Sequence, residues 1–252
     1  MQLAYTRAGT GTPLVLVHGY LGGAAMWQGQ VTALAARHDV ICPDLAGFGE
    51  SAGLVAPTSI AGHAEAVLGL LDDLGIARFD LLGHSMGGMV VQEMVRRAPS
   101  RVGKLVLYGT GPQGVLPGRF ESIAESRASL LEQGMGPTAR RIAATWFLQG
   151  EAAEGFALCA ALGQKVSLTT ALAFLDAREG WDVRAALAEI RTPTMVIWGS
   201  HDRSYNWSQP EALWRGIAGA DLAVVPGAAH NVHLEKPALF NAVLADFLQA
   251  AG

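Results

Sequence analysis

The chain's 252 residues are 50% hydrophobic and 16% charged, enough apolar material for one large α/β domain or a domain with an insertion, and too much for a disordered segment. Its 18 basic and 22 acidic side chains are intermixed, for a formal charge of -4, and leave neither a phosphate-binding stripe nor a basic tail, which argues against a nucleic-acid partner. No apolar run approaches the roughly 18 residues of a membrane span, and Met1 to Arg7 lacks the charged start and apolar run of an export signal, so a cytoplasmic protein is expected.

In chain order, Leu14 to Val17 is the first short apolar run, followed by Val40 to Cys42, Phe79 to Leu82, Leu105 to Tyr108, Thr194 to Trp198 and Leu222 to Val225. Each has strand length and is apolar without alternation, the pattern of strands covered on both faces in a parallel sheet. Between the second and third runs, Ile60, Ala64, Val67, Leu68, Leu71 and Leu74 recur at helical spacing; a similar stripe, Phe240, Val243, Leu244 and Phe247, follows Pro237, which suits a first helical position. Strand and helix in alternation predict an α/β fold with a doubly wound, mostly parallel sheet of about seven to eight strands.

The rhythm breaks between residues 112 and 190, where Ala-, Leu- and Arg-rich helical patches replace strands. This predicts a core of residues 1–111 and 191–252 interrupted by a helical insertion at 112–190. Gly134-Met-Gly-Pro137 marks a turn inside it, and Arg191-Thr-Pro193 the return to the sheet. Cys42 and Cys159 are too few for a disulfide scaffold and read as buried free thiols.

Two serines carry glycine two places away on either side, Ser85 in Gly-His-Ser-Met-Gly and Ser51 in Gly-Glu-Ser-Ala-Gly. Ser85 directly follows a predicted strand and directly precedes Met86-Gly-Gly-Met-Val-Val, a good helix start. A serine on that sharp turn is raised at the carboxyl edge of the sheet, and Gly83 and Gly87 are needed where backbone approaches too closely for a Cβ. Ser51 abuts no strand and reads as a loop residue.

A nucleophilic serine needs a base, and the base an orienting acid. Asp202 follows the strand ending at Trp198, and His230 follows the strand ending at Val225, so Ser85, Asp202 and His230 all fall at carboxyl ends of different strands. Backbone N–H donors for an oxyanion are expected from Met86 and from Tyr20, or Leu21, in the Gly-rich stretch after the first strand. Asp176, Glu179 and Asp182 are competing acids, but they close the insertion rather than follow a strand.

The segments "HGYLGG", "PDLAGFGES", "GHSMGG", "WGSHDRS" and "PGAAHNVHLEKP" resemble the α/β-hydrolase superfamily across nearly the whole chain. The resemblance implies that residues 112–190 form a lid over the site and that His18 hydrogen-bonds loop backbone. One departure stands out: relatives begin with a two-strand hairpin before the "HG" strand, whereas only Gln2 to Arg7 is available here, which points to seven strands.

His84, Trp146 and Asn231 are candidates for the substrate pocket, while His38 and His63 read as surface residues. His230 and His233 form a His-x-x-His pair without the spacing or third ligand of a zinc site, so neither metal nor organic cofactor is expected. The insertion's seven basic and nine acidic residues show no cluster along the chain for a carboxylate or phosphate, which favours a neutral, partly apolar carbonyl substrate, an ester or lactone. The resemblance adds two alternatives. One is hydrolytic cleavage of a carbon–carbon bond in an aromatic ring-cleavage product, whose enzymes carry Asn and Trp where His84 and Asn231 stand here. The other is a small-molecule receptor of hydrolase fold.

Overall fold

The computed structural model describes residues 2–250. Seven strands form one sheet: β1 (Tyr5–Ala8), β2 (Thr12–Val17), β3 (His38–Pro43), β4 (Phe79–His84), β5 (Val102–Tyr108), β6 (Thr194–Gly199) and β7 (Asp221–Val225). Their order is β1-β3-β2-β4-β5-β6-β7, and only β1 runs antiparallel, pairing Tyr5 with Pro43 and Ala8 with Val40. The single N-terminal strand accounts for seven strands rather than eight.

Consecutive residues of the central strands enter different cores. Val15 and Val17 of β2 pack on one face while Leu14 and Leu16 pack on the other; Leu105 and Leu107 of β5 oppose Val106 and Tyr108 in the same way. Leu14 to Val17 and Leu105 to Tyr108 are therefore buried at every position, which is why these stretches read as unbroken apolar runs. Helices α2 (Ile60–Asp73) and α3 (Met86–Arg97) cover one face, and α1 (Gln28–Leu34) and the C-terminal α10 (Pro237–Gln249) cover the other. Each fully buried Leu or Val contributes about 1.5–3 kcal/mol.

Between β5 and β6 the chain leaves the sheet for α4 (Ile123–Gln133), α5 (Met135–Thr145), α6 (Phe156–Gln164) and α7 (Leu168–Glu179). The starts are set locally: Ser122 and Glu125 form a reciprocal capping box on α4, and the Ser167 hydroxyl accepts the Thr170 N–H on α7. Gly134, with φ of 78°, forms the whole turn between α4 and α5. The insertion is fastened to the carboxyl edge of the sheet, where the Asn231 N–H donates to the Trp146 carbonyl at 3.0 Å and the Leu148 N–H to Glu235 Oε1 at 2.7 Å. A short helix α8 (Ser208–Gly216) and a single turn α9 (Val232–Glu235) complete the core. Among the described residues no single helix is long and apolar enough to cross a membrane.

Two histidines sit differently from their sequence reading. His38 begins β3 and is buried; His63 lies on the inner face of α2, fully buried, with neither ring nitrogen hydrogen-bonded. Burial pushes the His63 pKa down to about 4.

Candidate active site

Ser85 occupies the one-residue turn between β4 and α3, with φ of 56° and ψ of -117°, a conformation that costs a non-glycine residue about 1–3 kcal/mol. The surroundings hold it there. The Ser85 N–H donates to the Tyr108 carbonyl at 2.9 Å, and the Ser85 carbonyl accepts from Thr110 Oγ1 at 2.8 Å and the Gly88 N–H at 3.0 Å. A Cβ on Gly83 would stand 2.3 Å from the Gly87 carbonyl oxygen, and one on Gly87 would stand 2.2 Å from that of Val17. The turn is therefore closed to any residue but glycine at these two places.

Asp202 lies three residues beyond β6, and its carboxylate is fully committed. Oδ1 accepts the N–H groups of Ser204 (2.7 Å) and Tyr205 (3.0 Å), and Oδ2 lies 2.7 Å from His230 Nδ1. Both side chains are buried. A carboxylate facing Nδ1 places the proton on that nitrogen and leaves Nε2 free to accept one. The competing acids are elsewhere, with exposed carboxylates: Asp176 and Glu179 pair with Arg127, and Asp182 with Arg184.

The His230 ring lies in an aromatic stack, 5.7 Å from Tyr205 at an interplanar angle of 11° and 4.5 Å from His84. Its carbonyl accepts from Tyr108 Oη at 2.9 Å and His84 Nε2 at 3.2 Å. A carbonyl only accepts, so the His84 proton is on Nε2. Burial, with the neighbouring His230 and His233, drives the His84 pKa well below the ordinary value, and burial takes His233 down to about 3. The rings around His230 are thus neutral at physiological pH.

Ser85, Met86, Tyr20 and His230 line one small cavity with Trp146, Ile142, Phe174, Ser204, Tyr205, Arg119 and Arg178. It leaves about 20 Å³ in which the centre of a water molecule can move, room for one or two waters. No acceptor engages the N–H groups of Tyr20, Leu21 or Met86 among the described residues. Tyr20 borders the cavity, while the Leu21 side chain is turned into the core beside Gly163. A larger hollow of about 630 Å³ lies at the opposite edge of the sheet, around Arg78, Arg96 and Arg191, but contains no Ser, Cys or His.

Of the three pocket candidates, Trp146 lines the cavity and the other two do not. His84 is the last residue of β4, and strand alternation turns its side chain away from that of Ser85, into the cluster of Tyr108, Trp27 and His233. Asn231 is fully buried and donates from Nδ2 to Cys159 Sγ at 3.4 Å. Ser51 is buried too, its hydroxyl accepting the Ala4 N–H at 2.9 Å. His18 clamps two loops: Nδ1 faces the Gly19 carbonyl at 2.8 Å, and Nε2 accepts the Leu45 N–H at 3.0 Å. No basic cluster shows along the insertion's sequence, but the fold brings Arg119 and Arg178, 59 positions apart, to line the same cavity. Nothing in the linear pattern marks them. Tyr205, by contrast, was within reach of sequence reasoning, three residues after Asp202.

Comparisons with known proteins agree with this architecture. A family described as the α/β-hydrolase fold matches residues 12–237. A protein of Azorhizobium caulinodans provisionally named carbamate hydrolase RutD is 32% identical over 253 residues, covering 98% of this chain and 94% of that protein. The 2-hydroxy-6-oxo-6-phenylhexa-2,4-dienoate hydrolase of Burkholderia cepacia is 30% identical over 96% of this chain and 89% of its own length. Among solved structures, the enol-lactonase of Burkholderia xenovorans LB400 superposes with a TM-score of 0.90 at 26% identity, over 98% of this chain and 96% of that one.

Proposed function

The chain belongs to the α/β-hydrolase family, and from that premise we propose that it is a serine hydrolase of small carboxylic esters or lactones, with Ser85 as nucleophile, His230 as base and Asp202 as the acid that orients it. The observation that carries the reading is the buried 2.7 Å contact between His230 and Asp202 beside a serine held in a strained turn on the same cavity.

In this reading His230 Nε2 takes the Ser85 proton as Oγ bonds to the substrate carbonyl carbon. The N–H groups of Met86 and Tyr20 receive the oxyanion. Collapse breaks the carbon–oxygen bond to the leaving group, which takes the proton from His230. Water then adds to the acyl-enzyme, again giving its proton to His230, and the acid is released as the proton returns to Ser85. Asp202 stays ionised and stabilises the imidazolium, and the neutral His84 and His233 add no opposing charge.

Residues 112–190 act as a lid. The closed cavity has space for little more than water, so substrate entry requires movement of the side chains of Trp146 and Phe174 with their helices.

Hydrolysis of short-chain ethyl esters and five-membered lactones by wild-type protein and by Ser85→Ala tests the assignment. Turnover confined to the wild type supports it; turnover surviving in Ser85→Ala contradicts it. The dienoate hydrolase relative favours a second arm, in which a vinylogous diketone replaces the ester. Its preferential cleavage would move the reaction to carbon–carbon bond hydrolysis at the same serine.

A further inference from the structure

We propose that the cavity contains a carboxylate subsite, formed by Arg178 with Arg119, that selects esters or lactones bearing a free carboxylate in the acyl part. This rests on the acyl-transfer reading above and departs from the neutral substrate that the sequence favoured.

Arg178 is 4% exposed and lines the same cavity as Ser85, Tyr20 and Tyr205. Its Nε donates to the Gly114 carbonyl at 3.0 Å, which fixes the guanidinium. The anchor is itself rigid: the Gly114 N–H donates to the Trp181 carbonyl at 2.7 Å, and the Val183 N–H to that of Pro112 at 2.9 Å, so two strips of chain bracket the end of α7. No carboxylate lies within ion-pair distance of Arg178 among the described residues.

Arg119 is nearly as buried. Its Nη1 donates to the Glu121 carbonyl and to Ser126 Oγ, and the Glu121 carboxylate is no closer than 3.7 Å. That carboxylate is already shared, since Oε2 takes Arg141 at 2.7 Å and Oε1 takes the Ser126 hydroxyl at 2.5 Å. The cavity wall thus carries two guanidinium groups and no carboxylate, and the nearest one to Arg119, Glu121, is also claimed by a third arginine.

A buried guanidinium without a counter-ion is costly, and a fold retains one where something charged arrives to meet it. Burial and the nearby Arg178 pull the Arg119 pKa down to about 10, the direction expected of two cations sharing one enclosure. Both arginines remain protonated at neutral pH. A planar fork in an aromatic-walled cavity suits a carboxylate, which it can take through two parallel N–H groups. The carboxylate would anchor the acyl end and hold the scissile carbonyl at Ser85.

The test compares monoethyl glutarate with its neutral primary-amide counterpart, ethyl 5-amino-5-oxopentanoate, which has nearly the same shape. Rates are read by pH-stat in wild type, Arg178→Met and Arg178→Lys, with folding checked by circular dichroism. Wild type is expected to favour the anionic ester by at least about 30-fold in kcat/KM. Arg178→Met collapses that ratio toward unity, and Arg178→Lys retains part of it. Equal kcat/KM for the two esters in wild type, or a ratio unmoved by Arg178→Met, overturns the subsite. Should Arg178→Met fail to fold, the wild-type ratio and Arg178→Lys decide. Calorimetric titration with glutarate separates the two claims. If neither ester turns over, the hydrolase reading fails, while glutarate binding that is lost in the Arg178 variants still supports the subsite and no binding by wild type overturns it.

Discussion

His230 Nδ1 stands 2.7 Å from Asp202 Oδ2 in a buried setting, and the two remaining hydrogen bonds to Asp202 come from backbone N–H groups that stay in place whatever the side chain. In Asp202→Asn the backbone N–H donors hold the amide oxygen, and the NH₂ group is left facing Nδ1. The proton then moves to Nε2 and the base is lost. The kcat is expected to fall about 10⁴-fold with little change in the far-ultraviolet spectrum. A loss under tenfold would return the role to an acid of the insertion.

Ser85→Ala and Ser51→Ala separate the two glycine-flanked serines. The first is expected to abolish turnover while raising the melting temperature slightly or leaving it unchanged. The second removes the acceptor of the Ala4 N–H and is expected to cost about 1–2 kcal/mol by urea denaturation with near-normal kcat. Equal losses of activity would undo the distinction.

Gly87→Ala places a methyl group 2.2 Å from the Val17 carbonyl oxygen, backbone against backbone, with no flexible side chain to give way. The substitution is expected to destabilise the fold by about 3 kcal/mol or more. Gly29→Ala, at an unobstructed position in α1, serves as the control and is expected to leave stability unchanged or raise it by up to about 1 kcal/mol.

Tyr108→Phe removes the hydroxyl that joins the His230 carbonyl to the His233 ring and backbone. The buried His230 carbonyl and His233 N–H left without this partner predict a loss of about 1–3 kcal/mol in stability. The kcat falls more than KM changes, because the hydroxyl positions the base and touches no substrate.

Four buried histidines set the acid limit. Burial holds the folded pKa values of His18, His63, His84 and His233 below the ordinary 6.5, with His63 near 4 and His233 near 3. The unfolded chain therefore binds protons that the native state refuses, and stability is complete above about pH 6.5 and lost progressively toward pH 3. Each group adds up to about 1.4 kcal/mol per pH unit within its window. Replacing His63, which makes no ring hydrogen bond, by Leu is expected to flatten the dependence between pH 6.5 and 4 by one proton, measured by urea denaturation across that range.

The sheet was legible because burial on both faces removes alternation, so β2, β4, β5 and β6 announce themselves as apolar runs. Ser85, Asp202 and His230 stand out as candidates in the sequence for a related reason: each lies within a few residues of the carboxyl end of a strand-like run. Helix α1 leaves no mark in the sequence because its seven residues, Gln28–Leu34, have too little periodic apolar content. His84 and Asn231 stand next to candidate reactive residues in sequence but do not line the cavity, because a strand or tight turn points neighbours in opposite directions. Arg119 and Arg178 became a pair only through the packing of α7 against the 112–114 strip, a long-range event that no local pattern records.

The central claim is that Ser85 is an activated nucleophile. Mass-spectrometric mapping of the adduct formed by native, folded protein with a fluorophosphonate probe tests it most directly. A single adduct on Ser85, absent in His230→Ala, is the expected result. Label on another residue, or none on Ser85 in folded protein given time for the lid to open, would contradict it.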